Sequence, residues 1–166
     1  MSRPVPRAVT LSEHPEHRAD ARRLVEEYIR LPDAWTRFGG VPDVLPAYFR
    51  ELDDFPGEAA PPGGEVVVSI IEPDVVGVGL VVPGVDDVCE FKRVFVVAGH
   101  RGTGIGRALA ATMSDRARTL AYRRVRIDVM PERPAAVAFW TALGFEPCAP
   151  FRDYRFDMLF MDRLLD

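Results

Sequence analysis

The sequence predicts an α/β (α+β) protein organised on a mixed, mostly antiparallel sheet. Three observations carry that prediction. Residues 66–71, 75–82 and 88–97 are β-branched, apolar runs joined by short turns, the pattern of an antiparallel meander. An amphipathic helix pattern follows, with Ile105, Leu109, Met113, Ala117 and Leu120 at near-helical spacing. A fourth apolar run, 125–130, comes after that helix, and the connection is long enough for a parallel crossover.

The remaining elements are taken in chain order. Residues 8–11 read as a short first strand. Ser12 offers an N-cap, and a helix pattern runs from it to about residue 30. Ala21, Leu24, Val25, Tyr28 and Ile29 fall on one face of that helix. Arg22, Arg23, Glu26 and Glu27 face away, either as a solvated surface or, for Glu26, Glu27 and Tyr28, as the border of a cleft. Residues 31–64 are rich in proline and glycine, with a short helix expected over 43–52. A long irregular segment in a compact domain is often functional. Trp35, Phe38, Tyr48, Phe49 and Phe55 are candidates there for an acceptor pocket or for core packing. Arg123, Arg124 and Arg126 form a basic patch beside the fourth run. Pro134 opens the next helix, whose apolar side is Ala135, Ala138, Phe139 and Ala142, and Gly144 stops it. Phe145 is expected to begin a strand, and 157–163 to form the last one.

A chain of 166 residues fits a single domain, 1–166, with a sizeable core. The net charge of -4 argues against general nucleic-acid affinity. No run is apolar enough to span a membrane, and the start lacks the apolar block of a secretory signal. Cys89 and Cys148 have no metal-type spacing and read as reduced thiols of a cytoplasmic protein. Lys92 is the sole lysine, and the chain has neither Asn nor Gln. Polar roles therefore fall to backbone, hydroxyl and charged groups.

The chemistry concentrates in residues 95–107. The strand runs into Gly99, and a helix leaves near Gly104. Glycines at 102, 104 and 106 remove the Cβ atoms that would crowd a sharp turn. The first N–H groups of a helix lack partners and sit at its positive end, so the turn forms a cup for a phosphate or diphosphate. A Walker A string is absent, and a Gly-x-Gly-x-x-Gly reading from Gly102 fails at Arg107. The string is Arg-x-x-Gly-x-Gly: Arg101, Gly104 and Gly106.

That string resembles the diphosphate-binding motif of the GNAT superfamily of acyl-CoA-dependent N-acyltransferases. The blocks Cys-Glu-Phe-Lys-Arg-Val-Phe-Val, Arg-Gly-Thr-Gly-Ile-Gly-Arg-Ala-Leu and Ala-x-x-x-Trp-x-x-Leu-Gly-Phe strengthen the likeness, and the element order matches from end to end. The resemblance implies a sheet of six to seven strands, splayed at a parallel pair, with helices on both faces. It implies an acetyl-CoA-dependent N-acetyltransferase acting on a small-molecule or exposed peptide amine, without a metal, and dimers are common in the family. It places Phe95, Val96 and Val97 against the pantetheine arm and the acetyl carbonyl. Arg101, Gly102, Thr103, Gly104, Ile105, Gly106 and Arg107 would hold the diphosphate. Trp140 would pack on the pantetheine or in the core.

Acetyl transfer requires a neutral amine nitrogen. A lysine-like amine titrates near pH 10.4, so neutralising it at pH 7 costs roughly 4–5 kcal/mol. Glu90 is the candidate base, because its offset from Arg101 matches the base glutamate of GNAT histone acetyltransferases. It is expected to share a face with Lys92, Val94 and Val96; its alternative role is an ion pair with Lys92 or Arg93. The backbone N–H of Val96 or Phe95 is the expected oxyanion donor. Many family members have Asn opening the penultimate helix and Tyr four residues before Gly-Phe. Arg133 and Trp140 stand there, so Tyr154, Cys148, Ser69 or water must protonate the leaving thiolate, if an acid is needed. The other reading is a non-catalytic acyl-CoA sensor of the same fold.

Overall fold

The computed structural model describes residues 6–31 and 45–166. Trp35, Phe38 and Asp43, and the side chain of Tyr48, lie outside the described residues. In chain order the elements are β1 (Arg7–Thr10), α1 (Arg18–Ile29), α2 (Leu45–Asp53), β2 (Glu65–Ile71), β3 (Asp74–Pro83) and β4 (Val88–Val96). They continue with α3 (Ile105–Thr119), β5 (Arg124–Val129), α4 (Pro134–Ala142), β6 (Glu146–Pro147) and β7 (Leu159–Leu164). The seven strands form one sheet in the order β1-β2-β3-β4-β5-β7-β6. Every pairing is antiparallel except β4 with β5.

Helices cover both faces. Leu24, Val25 and Ile29 of α1 pack with Val66, Val68, Ile70, Val78 and Leu80 on one side. Leu109, Met113 and Ala117 of α3 pack with Val67, Val81, Phe91 and Ile127 on the other. β2 and β3 are thus buried on both faces, which is why they read as continuous runs rich in Val and Ile rather than alternating ones. A Cβ on Gly79 of β3 would stand 2.4 Å from the Met113 sulfur, so the glycine is what lets α3 lie close to the sheet.

β4 carries the feature that shapes the site. Leu80 pairs with Lys92, but Val78 pairs with Phe95, so two β4 residues oppose Gly79 alone. This β-bulge holds Arg93 at φ 54°, a left-handed conformation that costs a non-glycine residue about 1–2 kcal/mol. Arg93 is anchored by Glu51 of α2 at 2.7 Å. The bulge corrects one expectation. Glu90 and Lys92 lie opposite Val82 and Leu80 on the α1 side, whereas Val94 and Val96 pack with the α3-side core. The extra residue reverses the alternation, so these four side chains do not share a face.

Two local expectations also shift. Ser12 does not cap α1; Pro15 opens a short 3-10 turn and His17 occupies the cap position. Ser12 is drawn instead to Glu65, a carboxylate 1% exposed. Ser12 N at 3.2 Å, Ser12 Oγ, Val66 N at 3.0 Å and Arg116 Nε at 3.1 Å all donate to it. A buried carboxylate needs that many donors, and the requirement outweighs a local cap. Phe145 does not begin a strand. Its N–H still closes the end of α4 on the Trp140 carbonyl at 3.1 Å, with Gly144 at φ 83°, and β6 is only Glu146–Pro147.

Phe145 is among the largest fully buried side chains, packed against Phe91 and Trp140. Phe145→Ala is expected to lower unfolding free energy by about 3–5 kcal/mol in denaturant titration. Val85→Ala, at a residue 69% exposed, should stay within about 0.5 kcal/mol of the parent.

Candidate functional site

The parallel strands part almost as soon as they meet. Val88, Cys89 and Glu90 pair with Arg124, Val125 and Arg126, and no further β4–β5 pair follows. β4 runs on to Val96 and β5 to Val129, each held only by its outer neighbour, β3 or β7. A wedge opens between them. The N–H of Val97 donates to Val76 of β3 at 3.0 Å, so by strand alternation the N–H and C=O of Val96 face the wedge.

The glycine turn lies at the end of β4. Ala98–His100 form a 3-10 turn, Gly102 and Gly104 sit at φ 73° and 87°, and α3 starts at Ile105. A Cβ on Gly99, Gly102 or Gly104 would meet nothing within 4 Å, so the protein's own atoms leave the concavity open. Among the described residues, no hydrogen bond uses the N–H of residues 102–107 as donor. Ile105 is buried and anchors the helix start, while Arg107 is exposed. The Thr103 hydroxyl donates to the His100 carbonyl at 2.6 Å and steadies the loop. Arg101 folds back: its Nε donates to the Val96 carbonyl at 2.8 Å and its guanidinium lies 5.4 Å from the Phe95 ring centroid.

α4 closes the cup from the side. A Cβ on Gly106 would stand 3.4 Å from the Phe139 ring and 3.8 Å from Val96, so Phe139 flanks the cradle. Trp140, its neighbour, is 6% exposed and belongs to the aromatic core with Phe91, Phe139 and Phe145. Phe95 likewise turns its ring into the α1-side core, edge-on to Tyr28 at 6.1 Å, and by the same alternation its N–H and C=O face β3. Arg133, at the start of α4, donates to the Tyr28 hydroxyl at 3.3 Å and joins the two helical layers.

A polar cluster occupies the α1 side of the wedge. Arg152, from the loop between β6 and β7, places Nη2 2.8 and 2.7 Å from the two oxygens of Glu90, whose side chain is 12% exposed. Lys92 Nζ lies 3.9 Å from Glu90 and 3.6 Å from the exposed Glu58. From the same loop, the Tyr154 hydroxyl donates to Asp128 of β5 at 2.5 Å. Burial, and then the Asp128 carboxylate, push the Tyr154 phenol well above its usual range. Arg126 stacks on Phe151 at 5.2 Å.

The expected site residues thus fall into three groups. Residues 101–107 and the backbone of Val96 and Val97 gather at the cup. Glu90 and Tyr154 join one network on the wedge face. Trp140 stands in the core. Sequence reasoning misses Arg152, Asp128 and Phe139. For Phe139 a signal exists, since it precedes Trp140 on a short apolar helix; for Arg152, which reaches 62 residues back, none does. Phe55 is core, Phe49 packs against that core, and Cys89 and Cys148 are free thiols. Burial pushes the Cys89 thiol up to about 12, so it stays protonated. No helix among the described residues is long and apolar enough to cross a membrane.

A family model described as the acetyltransferase (GNAT) family matches residues 22–145. The uncharacterized N-acetyltransferase YjgM of Escherichia coli (strain K12) is 27% identical over 146 residues, 86% of this chain and 82% of that protein. An acetyltransferase of the GNAT family from Staphylococcus aureus Mu50 superposes with a TM-score of 0.76 at 17% identity, covering 98% of this chain and 100% of that one. An acetyltransferase from Streptococcus agalactiae 2603 gives 0.73 at 20% identity, covering 96% and 98%. At such identities the structural likeness is one of fold.

Asp128→Asn removes the negative charge beside Tyr154. Alkaline titration at 295 nm should find one phenol that ionises late in the parent and earlier in the variant. An unchanged titration curve would mean that the two side chains do not meet in solution.

Proposed function

This chain belongs to the acetyltransferase (GNAT) family, and from that premise we propose that it moves an acetyl group from acetyl-CoA to a primary amine by direct attack. The observation that carries the reading is the open cup of unused N–H groups at residues 102–107, lying where β4 leaves β5. Such a cup suits the CoA diphosphate, with the positive end of α3 behind it. The pantetheine arm then lies in the wedge as an added strand would, and Arg101 gives up the Val96 carbonyl to it. Phe139 flanks the arm.

The acetyl carbonyl needs a donor aimed at the oxygen where charge develops. Val96 N–H fits, since strand alternation turns it to the wedge and turns that of Phe95 to β3. Glu90 is the base. It takes a proton from the ammonium, the neutral nitrogen attacks the acetyl carbon, and the tetrahedral intermediate collapses. The C–N bond is then formed, the C–S bond is broken, and CoA leaves as a thiolate. The second proton of the nitrogen passes to that sulfur, directly or through water. A thiol titrating near 8.5 leaves readily, so Tyr154 serves more as a positioned hydroxyl than as a necessary acid. Burial, and then its bond to Asp128, hold it protonated at neutral pH.

Trp140 in place of a tyrosine favours a second reading, a sensor that binds acyl-CoA without turnover. A thermal-shift titration followed by a thiol-release assay over an amine panel separates the two. Acetyl-CoA should raise Tm, by about 2.7 kcal/mol of stabilisation at a hundredfold excess over Kd. An amine should then release thiol, whereas a sensor releases none. Glu90→Gln is expected to lower turnover about 10²-fold or more with the acetyl-CoA shift retained. Equal turnover at neutral pH would remove Glu90 from the mechanism.

A further inference from the structure

The carboxylate proposed as the base already has a partner. Both oxygens of Glu90 accept from Arg152 Nη2, at 2.8 and 2.7 Å, and Lys92 stands 3.9 Å away. With both oxygens occupied by the guanidinium, the carboxylate is turned to Arg152 rather than offered to an incoming ammonium. Glu90 therefore needs Arg152 taken from it before it can act. The competitor that suits a guanidinium is another carboxylate, which offers two coplanar oxygens to the same fork.

The rest of the wedge face points the same way. Arg126 is the direct β5 neighbour of Glu90, and the α1-side alternation that Asp128 shares puts both on this face. Among the described residues Arg126 has no carboxylate within 4.0 Å; its contact is the Phe151 ring. Phe151 and Arg152 arrive together on the β6–β7 loop. The face thus presents the cations Arg126, Arg152 and Lys92 interleaved with the carboxylates Glu90 and Asp128. Lys92 shares its charge with the exposed Glu58, so the unused positive charge belongs to Arg126. A simple cationic amine satisfies the carboxylates and leaves the arginines unanswered. A zwitterion satisfies both.

We propose that the acceptor is an amino acid or a like amine bearing a carboxylate, bound through Arg152 and Arg126, and that its carboxylate draws Arg152 off Glu90 and so frees the base. The inference rests on the acetyl-transfer reading and adds the acceptor class and two specificity-determining residues. Bound this way, the zwitterion turns one ion pair into two, its carboxylate on Arg152 and its ammonium on Glu90, and leaves no charge at the pair unanswered. The exchange lets the enzyme deprotonate an amine only when the correct acceptor is present.

The test compares matched acceptors, an α-amino acid and its primary amide, across a panel of side chains. Two readouts run in parallel: the acceptor-induced Tm shift of the CoA complex, and kcat/KM from thiol release. The parent should favour the acid at least tenfold in kcat/KM, and the acid alone should shift Tm. Arg152→Met should bring the preference to near unity, chiefly through KM, with the acetyl-CoA shift intact. Arg126→Met should weaken the preference in the same direction, and it stands as the second variant if Arg152→Met misfolds. Equal use of acid and amide by the parent, or a preference untouched in both variants, overturns the proposal while acetyl transfer stands. A Tm shift by the acid alone with no thiol released by any amine supports the carboxylate site and overturns the transfer reading instead.

Discussion

β4 cannot stay paired with β5 and also reach the start of α3, and the rest of the molecule follows from how that conflict is resolved. One extra residue, placed against Gly79, bends the strand and adds local twist. Arg93 adopts the left-handed conformation this demands and is held there by Glu51 of α2. β3 remains bonded to β4 on both sides of the bulge, so the strand bends without detaching. Past Glu90 the parallel partner is lost, and a row of backbone groups is exposed along the wedge. On an exposed sheet edge such groups would invite a foreign strand. Here they end in a glycine turn with its own unused N–H groups, so wedge and turn make one continuous hydrogen-bonding track.

The same bend sorts the side chains. Before the bulge, Glu90 and Lys92 stand on the α1 face; after it, Val94 and Val96 pack toward α3. The track is thus apolar on one side, with Val96 and Phe139, and charged on the other, with Glu90, Asp128, Arg126 and Arg152. An extended thiol carrier and a small charged acceptor can approach one point from opposite faces of the sheet. Near-perfect alternation would have put charge and apolar surface on the same side of the slot.

Much of this was readable from the chain. The glycine turn announces itself because glycine relieves a turn at φ 73° and 87° without strain, and β2 and β3 announce themselves because strands buried on both faces are rich in β-branched residues on both. The bulge was not readable. Its trace is the pair Lys92-Arg93, two polar residues running in an otherwise alternating strand, and that is also what an exposed edge looks like. Ser12 looked like a cap because capping is local; its true partner, Glu65, is 53 residues on. Arg152 belongs to the same class. Its loop is short of pattern, and its role exists only once β7 has folded back beside β5. Trp140 and Phe139 were told apart only by the direction in which α4 turns its faces.

If the main-chain amides of residues 102–107 grip a diphosphate, residue-resolved amide hydrogen exchange shows it most directly. CoA should slow exchange at 102–107 at least tenfold, while pantetheine, which lacks the diphosphate, should leave those amides as they are. Saturating CoA that protects other parts of the chain and leaves 102–107 exchanging freely would contradict the account.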